Sequence, residues 1–224
     1  MIRRDYILRM IEEFIQALAR INSLKQGRRW TEAAEALDDE FKRLVGEGAP
    51  AVARLSETDL LARLSQDGPT QIVREKTLLL TTLLKEAGDL ATAEARTEQG
   101  RECYLKALHL LLDVLGREDA FEFPEFVPKV ELLKQTLLGT LLPMHTHAML
   151  MQHYEHTGEF AMAEDELFAM LDAEPDNERL IEFGCAFYRR LLEQGDTALN
   201  EANLPRGEVE EGLKELQARK KPTV

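Results

Sequence analysis

Apolar residues recur along this chain at steps of three and four. Between Asp5 and Leu24 the series Ile7, Ile11, Phe14, Leu18 and Ile21 keeps that period, which predicts a helix. Leu8 and Ile15 widen its stripe beyond one face. The helix therefore needs cover on two sides, from the 51–65 segment or from a second copy of the chain, as a homodimer. Asp5 is placed to cap it and Gly27 to stop it. A second helix is expected from Thr31 to Val45, with Ala34, Leu37, Phe41 and Leu44 inward and Gly46-Glu47-Gly48-Ala49-Pro50 as its stop. Short helices follow near 51–56 and 58–65, and Asp67-Gly68-Pro69 then breaks the chain. Thr70 opens a long helix to Ala87, Gly88-Asp89 reads as a tight turn, and Leu90 to Leu115 as one extended helix. A connector at 117–128, rich in Phe and Pro, precedes helices predicted over 128–142 and 144–157. Another runs from the Gly158 turn to Ala173, and the last two cover 178–194 and 206–219, with Gly195 to Pro205 irregular between them. No period-two alternation of strand length occurs, so the expected class is all-α.

Part of the pattern is longer than one helix. A tetratricopeptide unit is a helix pair of about 34 residues, with W-x2-L-G-x2-Y in its first helix, A-x3-F in its second and a closing Pro. His147, Leu150, Met151 and Tyr154 fall at the first spacing, Ala163 and Leu167 at the second, and Pro175 closes the unit. A small residue at 163 lets two helices cross closely, Tyr154 and Leu167 fill the crossing, and Pro175 cannot continue the hydrogen-bond ladder. Leu80, Leu84, Gly88 and Ala93 begin a looser copy, whose closing half at Tyr104 to Leu108 arrives seven residues late. Gly27, Trp30, Ala33, Ala34 and Leu37 begin a third. The expected architecture is a single helical-repeat domain over 1–224, a tetratricopeptide-like, right-handed array of antiparallel helix hairpins. Its units lie near 5–46, 70–115 and 144–175, with C-terminal helices over 178–219.

Several local runs carry a family resemblance as a set. These are Asp5-Tyr6-Ile7-Leu8-Arg9-Met10-Ile11, the Gly27-Arg28-Arg29-Trp30-Thr31-Glu32-Ala33-Ala34 turn, Tyr154-x3-Gly158-Glu159-Phe160-x2-Ala163-Glu164, and the tail from Leu204 to Leu213. Together they resemble an uncharacterised family of bacterial tetratricopeptide-like proteins. The resemblance implies a helical-repeat fold and a bacterial source, and brings no activity or site residues with it.

Composition narrows the function. With 28 basic and 41 acidic residues the formal net charge is −13. Residues 121–178 carry most of the excess, holding only Lys129 and Lys134 against twelve acids. Phosphate binding needs clustered Lys and Arg, whereas Arg3, Arg4, Arg9, Arg28 and Arg29 are interleaved with acids, so nucleic acid is not expected as a partner. A basic protein or peptide is. The richest apolar stretch, Leu137 to Met151, is broken by Pro143, His145 and His147 and falls short of the roughly 20 residues of a membrane span. With no secretory signal at the start, the expected location is cytoplasmic. Cys103 and Cys185 are the only cysteines and are read as reduced, buried thiols.

Chemistry-bearing motifs are sparse. There is no G-x-G-x-x-G, no G-x4-G-K-[ST], no H-E-x-x-H and no nucleophile elbow, so no enzyme and no cofactor are expected. One cluster stands out: His145, His147, His153 and His156 are four of the five histidines. His153 and His156, at i and i+3, could share a metal with Glu155 or Glu159 nearby. The alternative reading is therefore a metal- or ligand-binding helical enzyme using His145, His153, His156 and Glu155. The leading reading is a peptide groove. In a repeat of this kind, positions opposite the inward stripe of each first helix line the concave face. Counted from Leu150 and Tyr154 these are His145, Ala148, Gln152, Glu155 and His156; in the earlier unit they are Glu75, Leu78, Thr82, Lys85 and Glu86.

Overall fold

A computed structural model describes residues 2–65, 70–117 and 123–219, with side chains from Asp5 onward. The expected break at Asp67-Gly68-Pro69, the connector residue Phe121, and the side chains of Arg3 and Arg4 lie outside the described residues. Twelve helices and no strand occur among the described residues, so the chain is all-α. They fall into two compact units, Met1–Thr140 and Leu141–Val224.

The first unit holds α1 (Ile2–Gln26), α2 (Trp30–Val45), α3 (Ala49–Val52), α4 (Glu57–Ser65), α5 (Thr70–Ala93), α6 (Thr97–Leu115) and α7 (Val130–Thr136). Its centre is α5, packed by α1, α2, α4 and above all α6. Leu78, Leu79, Leu80, Leu83 and Leu84 are all buried, so this helix is apolar nearly all round, as an interior helix must be. Gly88 corrects the sequence reading. It lies inside α5 rather than in a turn, and a Cβ there would meet the Tyr104 ring at 2.4 Å. The glycine serves a close helix crossing, and the chain turns at 94–96 instead, where Ala95 takes φ +60°. α5 and α6, at 24 and 19 residues, are both longer than the helices of a 34-residue unit.

Phe14 of α1 is buried, with its ring 5.3 Å from that of Phe126. The main neighbours of α1 are α2 and α5, not the 51–65 segment, which packs instead on α2, α5 and α6. Tyr6, Leu8 and Ile15 remain about half exposed. Before α4, Ser56 and Asp59 form a reciprocal cap: the Asp59 N–H donates to Ser56 Oγ at 3.1 Å and the Ser56 N–H to Asp59 Oδ2 at 3.3 Å.

The second unit holds α8 (Met144–Thr157), α9 (Phe160–Ala173), α10 (Glu178–Leu192), α11 (Asp196–Glu201) and α12 (Arg206–Arg219). α8 and α9 form a tight hairpin in which Tyr154, Ala163 and Leu167 are fully buried. Gly158 makes the turn possible: φ is +79°, and its N–H reaches back to the last turn of α8. Asn177 caps α10, its Oδ1 accepting from the N–H groups of Arg179 and Leu180. The Tyr188 hydroxyl donates to Glu164 at 2.6 Å, joining α10 to α9, and α12 packs on α10 as well, with Leu216 beside Gly184 and Gly212 against the Tyr188 ring. Two expectations fail locally. The helix expected over 128–142 is only Val130–Thr136, because Gly139 at φ +79° breaks it, and α11 forms inside the stretch expected to be irregular. Each unit buries one free cysteine, Cys103 in α6 and Cys185 in α10.

Candidate functional site

An open groove of about 1090 Å³ runs between α8 and α10 of the second unit. On the α8 side it is lined by His145, Ala148, Met149, Gln152, Glu155 and His156, and on the α10 side by Phe183, Arg190, Leu191, Glu193 and Gln194. The five positions expected on α8 thus converge on one cavity. Residues 145, 148, 152, 155 and 156 share a helix face, and α9 packs on the opposite one.

The two walls are joined near their C-terminal ends. Arg190 donates from Nε to Glu155 Oε1 at 2.6 Å and from Nη2 to Oε2 at 2.8 Å, a bidentate pair. That bond raises the Arg190 pKa further. It also means the Glu155 carboxylate, expected as the acidic contact, is already matched within the groove. α8 runs antiparallel to α9, as the His147–Glu166 contact shows, and α10 does too, with Tyr188 at Glu164 and Gly184 at Leu167, so α8 and α10 run in the same direction. Phe183 and Arg190 were not legible from the α8 stripe. A signal for them exists: Tyr188 follows Tyr154 by 34 residues, and the same interval carries Met149 to Phe183 and His156 to Arg190.

The corresponding stripe of the first unit does not line an open groove, which corrects the expectation. Glu75, Leu78, Thr82 and Glu86 are buried, and Lys85 is half-buried. Glu75 pairs with Arg74 at 2.7 Å. Thr82 Oγ1 donates to the carbonyls of Leu78 at 3.0 Å and Phe126 at 3.4 Å, so the connector lies over it. Glu86 pairs with Lys25 of α1 and with Lys85 at 3.1 Å, and Asp89 accepts from Lys25 at 2.7 Å and Lys85 at 2.9 Å. Burial pushes the Asp89 carboxyl up, but the two ammonium groups outweigh it and hold the pKa below its usual range. The Tyr104 hydroxyl, buried and 3.0 Å from Asp89, is pushed up to about 12. This is a part-buried ion network in which Glu86 is the most deeply placed member.

The histidines spread out. His145 and His156 line the groove, whereas His147 turns to α9, its Nδ1 2.6 Å from Glu166. His153 sits 5.4 Å from the Tyr154 ring. Among the described residues no three His, Cys, Asp or Glu side chains are grouped so as to hold a metal ion. The fifth histidine, His109, is buried on α6 with Nδ1 2.8 Å from Glu57 Oε1, and this bond holds the Glu57 carboxyl down at about 2. No helix among the described residues is long and apolar enough to cross a membrane.

What these features define is a helical protein with an open cleft on one unit and a part-buried ion network in the other. Over residues 1–221 the chain matches a family of unknown function, DUF6483, and belongs to that family. No curated protein and no solved structure matches it.

Proposed function

We propose that this chain is a non-enzymatic, tetratricopeptide-like helical-repeat protein that binds a protein or peptide through the groove between α8 and α10. The observation that carries the reading is that groove, which is concave, floored by apolar side chains and rimmed by polar ones. The parallel course of α8 and α10, with α9 packed behind, supports a repeat array, since first helices of successive hairpins line the concave side. So does the 34-residue interval between the fully buried Tyr154 and Tyr188. A photo-activatable residue at Gln152 should cross-link a discrete protein in extract of the native cell, while the same residue at exposed Glu174 should not. Loss of that adduct in Phe183→Asp supports the groove; an adduct that survives Phe183→Asp unchanged sinks it.

Self-association through α1 is a second proposal, supported by the outward Tyr6, Leu8 and Ile15, each about half exposed. Light scattering should then give a dimer mass that falls to the monomer's in the double variant Leu8→Glu, Ile15→Glu. A monomer mass before substitution rejects it.

A further inference from the structure

Resting on that reading of the groove, we infer that it selects an extended peptide with an apolar side chain at one position and a lysine or arginine four residues away. The two ends of the groove differ in chemistry. Toward one end the groove is lined by Ala148 and Met149 of α8 and by Phe183 of α10, a ring left 40% exposed in a unit whose other large side chains are mostly buried. An exposed aromatic beside a flexible methionine is the type of surface that seats an apolar anchor.

The other end is electronegative. α8 and α10 run in the same direction, so both helices finish there, at Gly158 and Glu193, and both of these residues line the groove. Each helix C-terminus carries about half a unit of negative charge. The exposed Glu193 carboxylate adds a full one, while the charges of Glu155 and Arg190 cancel. The buried side chains of Phe160 and Leu191 floor the same end. The aliphatic stem of a lysine or arginine can lie on them while its charge meets Glu193.

Geometry fixes the spacing. Phe183 and Glu193 are ten residues apart on one helix, about 15 Å at 1.5 Å per residue. An extended chain covers that in four to five residues at about 3.3 Å each. Side chains four apart in such a chain point the same way, so both enter the groove. The exposed Gln152 amide, on α8 between the two ends, can both donate to and accept from the peptide backbone.

The test is a random heptapeptide phage library panned on the full-length chain, its Glu193→Lys variant and its Phe183→Asp variant. The expected consensus pairs a large apolar residue with Lys or Arg four positions away, in either direction. Glu193→Lys should replace the basic position by Asp or Glu and weaken a synthetic consensus peptide roughly tenfold. Phe183→Asp should abolish the apolar preference. Both side chains point into solvent, and unchanged circular dichroism checks the fold; should one variant not fold, the other still decides. An acidic consensus, or a basic position that Glu193→Lys does not move, overturns this inference while peptide binding itself stands. Absence of any peptide sensitive to these substitutions overturns both.

Discussion

The stripe on α5 and the stripe on α8 follow one spacing rule and end in opposite environments. On α8, His145, Ala148, Gln152, Glu155 and His156 line a cavity. On α5, Glu75, Leu78, Thr82 and Glu86 are buried, with Lys25 of α1 on Glu86 and the Phe126 carbonyl of the connector on Thr82. The acids differ accordingly. Glu155 meets one guanidinium at a partly exposed rim, whereas Glu86 shares two ammonium groups inside the fold. A polar stripe on a helix is therefore open to contact only where neighbouring elements leave it uncovered.

Substitutions can press on this contrast. The largest effect is expected from Lys25→Met, which removes the cation facing both Glu86 and Asp89. Lys85 still neutralises part of the cluster, so a loss of roughly 3 kcal/mol in urea unfolding is expected. A loss under about 1 kcal/mol would mean water already solvates these acids, and the contrast with α8 would collapse. Next comes Gly88→Ala, whose new methyl must displace the Tyr104 ring; overpacking of this kind costs about 1–3 kcal/mol. An unchanged thermal midpoint would show that α5 and α6 part without penalty.

Glu57→Gln should give a smaller, pH-dependent loss. Its carboxyl falls from an ordinary 4.5 to about 2, first through the His109 hydrogen bond. A lowered carboxyl pKa stabilises the fold above about pH 4.5, and that contribution fades as pH falls toward 2. The stability difference between the parent and Glu57→Gln should shrink across that window; a difference that grows on acidification contradicts the bond. The smallest effect belongs to Glu155→Ala. A pair as exposed as Glu155–Arg190 contributes under about 1 kcal/mol, so unfolding should barely move although the groove loses its cross-tie.

Much of this arrangement was legible in the sequence where local chemistry decides it. The α8–α9 hairpin follows from apolar spacing and from Gly158, whose turn is a property of the backbone at that residue. Gly88 misled because glycine beside aspartate reads as a turn, while its cause is Tyr104, sixteen residues away. Leu137, Leu138 and Leu141 prolonged an apparent helical pattern past Gly139, yet Leu138 and Leu141 are largely exposed, at 77% and 94%. The α8 wall of the groove was visible from one stripe. The α10 wall was not visible from that stripe, because Phe183 and Arg190 join it through tertiary packing, and only the 34-residue interval from Met149 and His156 points to them. The covering of α5 by Lys25 and Phe126 is likewise long-range and leaves no local trace.

The two buried cysteines have a practical consequence. Each compact unit seals one thiol, and the Cys103 thiol is raised by burial and so kept from ionising. Alkylation in mild denaturant therefore proceeds only as each interior opens. Mass spectrometry of the peptides carrying Cys103 and Cys185 would time the loosening of each half separately, with no engineered label.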